Sequence, residues 1–216
     1  QGEQNISDVL DAKKIQTISE VFHQVETLSI RTEINELLDD MKDRGAEAIP
    51  EIQKAVPDAY FVFAGPDRYS PTGGSTRKEI EHYLAKSSVD SHQVSFLGQV
   101  PWSKLRACYT KAAVVTAPTL YEDYPYAVVE PMACGAAVVS SDCYGIPEIV
   151  NHGVTGLLSK MGDAQDLARQ IIDLLKNPAK RRQLAEAGKK FIREECSPER
   201  VASLTTQVYH AVTGRT

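Results

Sequence analysis

Two carboxylates in the middle of the chain have a spacing that suits a sugar ligand. Glu122 and Glu130 are eight residues apart, and a helix is predicted to begin between them, at Tyr126. A carboxylate accepts two hydrogen bonds at once from neighbouring hydroxyl groups, and hydrogen bonds to a charged group are stronger than neutral ones. The first N–H groups of a helix have no acceptor within the helix and can hold a phosphate. This pattern predicts a site for a sugar that carries a diphosphate.

The elements that would position these residues alternate between strands and helices. Short apolar runs predict strands at residues 60–65, 94–98, 113–118, 137–140 and 156–158, and helical spacing predicts helices at residues 75–85, 102–111 and 126–134. Such strands between helices are typical of a parallel sheet covered on both faces, the doubly wound α/β pattern. Ligands of these sheets bind beyond the carboxyl ends of the strands. Residues 119–125, which include Glu122, follow one of these ends and are therefore a candidate site.

The C-terminal part of the chain is predicted to be helical. Residues 164–175 and 179–194 have helical spacing of apolar residues, and Ser197 followed by Pro198 is typical of a helix start. Because no strand separates these helices, we expect them to pack beside the sheet as a C-terminal appendage.

The N-terminal part has a different character. Residues 1–48 are predicted as a mainly helical segment of unclear role, with a strand near residues 26–31 as the alternative. The sequence therefore predicts two parts, this segment and a Rossmann-like domain at residues 49–216. A Rossmann-like sheet without its central strand would leave buried backbone groups unpaired. We therefore expect a segment of residues 1–48, from this or another copy, to fill that position.

Composition excludes several classes of function. The chain has 216 residues and a net charge of -5, which gives no positive field for a nucleic-acid backbone. No apolar run approaches the roughly 20 residues of a membrane-spanning helix, and the first residues lack the core of a signal peptide. The 4 cysteines have no metal-ligand spacing, which favours a reducing compartment. We expect a cytoplasmic protein, with peripheral membrane association as an open alternative.

Four ordered motifs resemble the retaining glycosyltransferases of family 4. They are FLGQVP at 96–101, EDYPYAVVE at 122–130, PMACGAAVVSSD at 131–142, and GIPEIV with GVTGLL at 145–158. The second motif is similar to the E-x7-E element of that family. The resemblance extends from about Glu47 to the C-terminus, and four motifs in fitting order are far more specific than an isolated pair of glutamates.

The resemblance implies a fold and a set of roles. Family members have the GT-B fold, in which two Rossmann-like domains face each other across a cleft, and this chain resembles the C-terminal, donor-binding domain. Glu130 would bind the ribose hydroxyls of the donor, and Glu122 would be the catalytic carboxylate that contacts hydroxyls of the transferred sugar. The diphosphate would be held by Pro125, Tyr126, Ala127 and Val128. The base would lie near Gln99 and Val100, and the cleft would be lined by Gly65 and Pro66. No metal or other cofactor is expected, because the helix dipole and basic side chains would neutralise the leaving group.

This sequence departs from the family pattern in two places. Residues 1–48 are too few to form the acceptor-binding domain. The pair of cations that would bind the diphosphate, an arginine and a lysine followed by glycine, is incomplete: Arg44 and Gly45 stand in for the lysine and glycine, and Arg31 is the other candidate cation. We therefore expect the chain to be an incomplete enzyme by itself.

The predicted function is transfer of a sugar from a nucleotide diphosphate sugar, with retention of configuration, to an unknown acceptor that is a sugar, a lipid or a small molecule. The alternative is a non-catalytic nucleotide-sugar-binding module that acts through a partner. In either case residues 1–48 would pair with an acceptor-domain partner or with another copy of the chain. Epimerase-like chemistry is a third interpretation and fits the motifs less well.

Two aromatic residues on one predicted helix are assigned to the core. Trp102 and Tyr109 are seven residues apart and therefore share one face of the helix. The 5 histidines have neither a metal-ligand nor a catalytic-triad spacing, and we expect them to be structural or exposed.

Overall fold

The computed structural model describes residues 45–67 and 74–214. In these ranges, parallel strands alternate with helices, which is the α/β class that the sequence predicts. The elements are α1 (residues 45–55), β1 (Phe61–Phe63), α2 (Thr76–Lys86), β2 (Val94–Phe96), α3 (Trp102–Lys111), β3 (Val114–Ala117), α4 (Tyr126–Cys134), β4 (Ala137–Asp142), α5 (Ile146–Ile149), β5 (Leu157–Lys160), α6 (Ala164–Lys176), α7 (Pro178–Glu195) and α8 (Pro198–Thr213). The strands and helices predicted for this part of the chain are all present, with ends that differ by a few residues.

Strand β4 lies in the middle of a parallel sheet, between β3 and β5. Its residues 137–141 are all buried, as expected for a parallel strand that is covered on both faces. Successive side chains of a strand point to opposite faces. Ala137 and Val139 accordingly belong to one core and Val138 to another.

One face of this sheet is covered by α1, α6 and α7. Their buried apolar residues pack with Ala137 and Val139 of β4 and with Leu157 of β5: Ala48, Ile52, Leu167, Ala168, Ile171, Leu174, Leu184 and Ala185. Helices α6 and α7 are thus part of the main core, and the prediction of an appendage is wrong for them. The apolar face of β4 has to be buried, and these helices are what covers it.

The opposite face is covered by α4, α5 and the end of α7. Val128 and Met132 of α4 pack with Val138, Ile146 and Ile192 in a second core. Because helices cover both faces, the sheet is doubly wound.

Helix α8 differs from the other C-terminal helices because it buries none of its residues. Ser197 caps it by accepting a hydrogen bond from the N–H group of Arg200, and Pro198 lies in its first turn, as predicted. Within the ranges that the structure describes, no helix is both long and apolar enough to cross a membrane.

Strands β1 and β2 form a second parallel pair. The rings of Phe63 and Phe96 stack on it, with centroids 4.8 Å apart. Helix α1 packs against both groups of strands, with Ile49 in the core of β1, β2 and α2, and Ile52 in the core of β3, β4 and β5. The predicted boundary at residue 48 falls within α1. The predicted strand that joins the two groups lies outside the described residues, and its place stays a prediction.

A buried glycine in α7 provides a test of the packing between helices. A Cβ atom added to Gly188 would lie 2.7 Å from the carbonyl oxygen of Thr155 and 3.2 Å from the terminal methyl carbon of Met132. In an open helix, glycine-to-alanine substitution stabilises by about 1 kcal/mol. Here the contact is with backbone and cannot be relieved by rotating a side chain. We expect Gly188→Ala to lower the free energy of unfolding by about 1–3 kcal/mol, measured by urea denaturation.

The matched control is Lys190→Ala, at an exposed position of the same helix. It should change the free energy of unfolding by no more than about 0.5 kcal/mol. A Gly188→Ala protein as stable as the wild type would contradict the close packing of α7 against Thr155.

Candidate functional site

Three loops meet at the carboxyl ends of β3, β4 and β5: residues 118–125, 143–145 and 161–163. Gly145 packs so closely against the first loop that an added Cβ atom would lie 1.9 Å from the carbonyl oxygen of Asp123. Gly162 approaches the same loop from the third strand end, where an added Cβ atom would lie 3.6 Å from the side chain of Leu120. The loop that carries Glu122 is therefore fixed by contacts with both neighbouring loops.

Hydrogen bonds and an aromatic contact hold the first two loops together. The hydroxyl of Thr119 donates to the carbonyl of Tyr121 at 3.2 Å, and the thiol of Cys143 donates to the carbonyl of Thr119 at 3.5 Å. The rings of Tyr121 and Tyr144 meet edge to face, with centroids 4.6 Å apart. Tyr144 has a φ of 43°, in the left-handed region that side-chain-bearing residues seldom adopt. Strained backbone of this kind persists only where the surroundings fix it, and it is common at functional sites.

Glu122 is half-buried at the centre of this arrangement. Burial raises the pKa of its carboxyl group, and the negative charge of Asp123 raises it further. The pKa of the Cys143 thiol is also raised, by burial and then by the charges of Asp142 and Glu122. A buried thiol with a raised pKa is a poor nucleophile.

The start of α4 presents backbone donors beside Glu122. Pro125 precedes the helix and provides no side-chain cap. The N–H group of Val128 donates to the carbonyl of Pro125 at 3.0 Å, and the Val128 side chain is fully buried. The N–H groups of Tyr126 and Ala127 have no backbone acceptor among the described residues, and both residues are exposed. Of the three predicted diphosphate donors, Tyr126 and Ala127 are thus the ones available to an anion.

Glu130 lies on α4 and has a partner that the sequence did not reveal. The hydroxyl of Tyr109 on α3 donates to Oε2 of Glu130 at 3.2 Å. Burial and the charge of Glu130 raise the pKa of Tyr109, so its hydroxyl stays a proton donor at neutral pH. The core assignment is wrong for Trp102, which is 52% exposed, because α3 buries none of its residues. The seven-residue spacing correctly predicted that Trp102 and Tyr109 share one face of α3. The contact of this face with Glu130 is visible only in the packing of α3 beside α4.

A second tyrosine connects the loop to the end of α7. The hydroxyl of Tyr124 donates to Sγ of Cys196 at 3.0 Å. Burial and this hydrogen bond raise the pKa of Tyr124 to about 12. The segment that leads into α4 is therefore anchored at Tyr124 as well as at Asp123.

The predicted residues near the base and the cleft lie at the ends of β1 and β2. The N–H group of Gly65 donates to the carbonyl of Gly98 at 3.0 Å, which brings the two strand-end loops together. Pro66 and Gln99 are exposed and Val100 is half-buried. The structure thus groups these four predicted positions around one backbone contact.

The predicted cations Arg31 and Arg44 lie outside the described residues, and their roles stay predictions. Gly45 is the first residue described after them. A Cβ atom added to Gly45 would lie 3.2 Å from Cγ of Pro118, the first residue after β3. Helix α1 therefore reaches the strand end from which the Glu122 loop departs.

A separate groove of about 540 Å³ lies along the outer strand β5, and the predicted site residues are not among those that line it: Asp142, His152, Leu158, Ser159, Lys160, Met161, Asp166 and Gln170. Asp166 accepts the N–H group of Lys160 at 2.7 Å and the guanidinium of Arg169 at 2.9 Å. Among the described residues, no group of three or more His, Cys, Asp and Glu is placed to hold a metal ion. The expectation that no metal is needed stays a prediction.

The fold is that of an α/β domain of the doubly wound class, with a candidate site at its strand ends. The chain belongs to the family described as Glycosyl transferases group 1, which matches residues 19–191. The match includes residues 19–48, which the sequence assigned to a separate segment. The division of the chain at residue 48 stays a prediction.

Relatives and solved structures agree with this family. The alpha-maltose-1-phosphate synthase of Mycolicibacterium smegmatis is 37% identical over 120 residues, which are 52% of this chain and 31% of that protein. Sucrose-phosphate synthase from Thermosynechococcus elongatus matches with a TM-score of 0.68 and 28% identity, over 80% of this chain and 43% of that one. The C-terminal domain of a group 1 glycosyl transferase from Francisella tularensis matches with a TM-score of 0.65 and 21% identity, over 76% of this chain and 81% of that one. The described part therefore has the fold of a Rossmann-like C-terminal domain of GT-B proteins, and the chain spans less than half the length of the two synthases.

Substitution of Glu122 tests the burial of its carboxyl group. Folding raises the pKa of the Glu122 carboxyl group, so protonation of this group favours the folded state. The gain in stability is fully present at pH values below the pKa in the unfolded chain, and it is lost as the pH rises through the pKa in the folded chain. Glu122→Gln cannot ionise. We expect this variant to have a higher free energy of unfolding than the wild type at neutral pH, and the difference to shrink as the pH falls below the ordinary range for glutamate. Urea denaturation at a series of pH values measures both effects.

Glu186→Gln, at an exposed position of α7, controls for the loss of one negative charge. A difference in stability between Glu122→Gln and the wild type that stays constant across this pH range would contradict the raised pKa, because it would come from packing and not from the charge.

Proposed function

We propose that this chain is the donor-binding domain of a retaining glycosyltransferase of family 4. The whole protein would transfer a sugar from a nucleotide diphosphate sugar to an acceptor. The observation that carries the proposal is the placement of Glu122 and Glu130 on either side of two available N–H groups at the start of α4. Membership of the group 1 family supports sugar transfer. The motif resemblance supports the finer assignment to family 4, to retention and to a nucleotide-sugar donor.

The diphosphate of the donor would lie at the start of α4, on the N–H groups of Tyr126 and Ala127. The positive end of the helix dipole favours an anion there. Glu130 is four residues beyond Tyr126, about 6 Å along the helix axis at 1.5 Å per residue. This is a suitable separation for a ribose attached to the diphosphate. Tyr109 donates to one oxygen of Glu130, which leaves the other oxygen to accept the ribose hydroxyls.

Glu122 would contact the transferred sugar. Its ionised form is disfavoured by burial, and hydroxyl groups that donate to it would compensate for the lost water. In the transfer step the bond between the anomeric carbon and the diphosphate oxygen breaks, and its electron pair leaves with the diphosphate. The oxygen of an acceptor hydroxyl forms the new bond to the anomeric carbon on the same face, and the hydroxyl proton passes to the departing diphosphate oxygen. Positive charge then develops on the sugar and negative charge on the leaving group. Glu122 faces the first charge and the N–H groups of Tyr126 and Ala127 face the second, so both would stabilise the transition state.

The strand-end edge around Glu122 is mainly negative among the described residues, so binding of a diphosphate there would require cations from elsewhere in the protein. The loops and strand ends around the site carry the carboxylates Glu122, Asp123, Asp142 and Asp163, with Lys160 as a cation at the end of β5. A dianionic leaving group would be repelled by this surface unless further positive charge were supplied. We assign that role to Arg44, with Arg31 as the second candidate, and the position of Gly45 against Pro118 supports the assignment of Arg44. With these groups and the helix dipole, no metal ion is required for transfer.

A binding module that acts only through a partner is the alternative function. It is less well supported, because membership of the group 1 glycosyl transferase family favours sugar transfer over binding alone. The acceptor, whether a sugar, a lipid or a small molecule, would be bound by another part of a longer protein or by a partner. This division is consistent with the chain spanning 31% of the Mycolicibacterium synthase.

Calorimetric titration of this chain with UDP, GDP and ADP, and with their common sugar conjugates, tests the donor site. We expect saturable binding of one nucleotide family. Glu130→Ala should weaken it by about 10- to 100-fold, because hydrogen bonds to a charged group contribute about 1.5–3 kcal/mol. Glu186→Ala removes an equal charge from the exposed surface of α7 and should leave the affinity within about twofold of the wild type.

Folding of each variant is checked by its thermal unfolding transition. A folded wild-type chain that binds none of these nucleotides would contradict the proposed function. Equal affinities for Glu130→Ala and the wild type would contradict the role of Glu130 and place the nucleotide elsewhere.

A further inference from the structure

Trp102 is the only tryptophan of the chain, and the structure leaves it open to solvent. The residue begins α3 and is 52% exposed. Its ring meets the ring of Tyr109 edge on, with centroids 6.3 Å apart and an interplanar angle of 66°. Tyr109 in turn donates its hydroxyl to Glu130 at 3.2 Å. Trp102, Tyr109 and Glu130 therefore form a continuous line of contacts from the start of α3 to α4.

The line begins at the ligand-binding edge of the domain. Trp102 follows β2 and the loop of residues 97–101, so the start of α3 lies at a carboxyl strand end, as does the start of α4. Helical side chains lean towards the N-terminus of their helix. Tyr109, two turns further along α3, accordingly leans back towards Trp102. The indole thus lies on the side of Tyr109 that is nearer to this edge.

We propose that the exposed indole of Trp102 is the surface on which the nucleobase of the donor stacks. The inference rests on the proposed function, because it takes the ribose to be bound by Glu130. In a nucleoside diphosphate the base and the diphosphate leave the ribose in opposite directions. With the diphosphate at Tyr126, the base must extend away from the loop of residues 118–125. The aromatic surface of α3 is the neighbour of Glu130 that is available to receive it.

The chemistry of an indole fits this role. Stacking on an aromatic side chain contributes to binding of any base, because every base presents a π-face. Trp102 would therefore supply affinity, whereas polar groups in the adjacent loop, such as the exposed side chain of Gln99, would discriminate between bases. Tyr109 would act as a positioning residue, since its hydroxyl orients Glu130 and its ring supports the indole.

Because Trp102 is the only tryptophan, its fluorescence reports on this one position. We expect titration with UDP, GDP or ADP to change the tryptophan emission, with saturation at the concentration found by calorimetry. Trp102→Ala should weaken nucleoside diphosphate binding by about tenfold, and Trp102→Phe by less, because the benzyl ring retains part of the stacking surface. Binding of inorganic diphosphate, which has no base, should be the same in the wild type and in Trp102→Ala.

Tyr109→Phe separates the two roles of the aromatic pair. It keeps the ring that supports Trp102 and removes the hydrogen bond to Glu130, so the change in emission on nucleotide binding should persist while the affinity falls.

Two results overturn the inference, and they differ from each other. If the folded wild type binds a nucleotide by calorimetry, but its emission is unchanged and Trp102→Ala binds equally well, the base lies elsewhere and the proposed function still stands. If the folded wild type binds no nucleotide at all, the proposed function and this inference fail together.

Discussion

The geometry of the site depends on one close contact between two loops, in which Gly145 lies against the carbonyl oxygen of Asp123. Any side chain at position 145 would place its Cβ atom 1.9 Å from that oxygen, which no real contact allows, so only glycine fits. The contact joins the loop after β4 to the loop after β3, and these two strands are hydrogen-bonded neighbours. It fixes Glu122, which precedes Asp123, and it directs the chain into α4. The other contacts of this loop, from Gly162, Cys143 and Cys196, hold it in the position that this approach of backbone to backbone defines.

The site combines a rigid support with groups that are unfavourable in the folded chain. Strand β4, buried from residue 137 to residue 141, holds the loops in place. The carboxyl group of Glu122 is half-buried, which disfavours its ionised form, and Tyr144 has a left-handed backbone conformation. Such features cost stability by themselves, and they are maintained because the core beneath them is well packed. Under the proposed function, the donor would compensate for the first of them, because its hydroxyl groups would replace the water that Glu122 loses.

The sequence predicted the elements well, because their signals are local. Apolar runs, helical spacing and helix starts such as Ser197 followed by Pro198 depend on neighbouring residues only. Contacts between distant elements were not predictable in this way. The exposure of Trp102 and the hydrogen bond from Tyr109 to Glu130 depend on which faces of α3 and α4 meet. The engagement of the Val128 N–H group depends on the exact path of the chain into α4.

Under the proposed function, the diphosphate of a nucleotide-sugar donor lies at the start of α4. The most direct test is to titrate isotope-labelled protein with UDP, GDP and ADP in turn and to follow the backbone amide resonances. We expect the largest saturable shifts at Tyr126 and Ala127, with smaller shifts at Gly145. Saturable shifts confined to the β5 groove around Lys160 and Asp166, with Tyr126 and Ala127 unchanged, would contradict this placement.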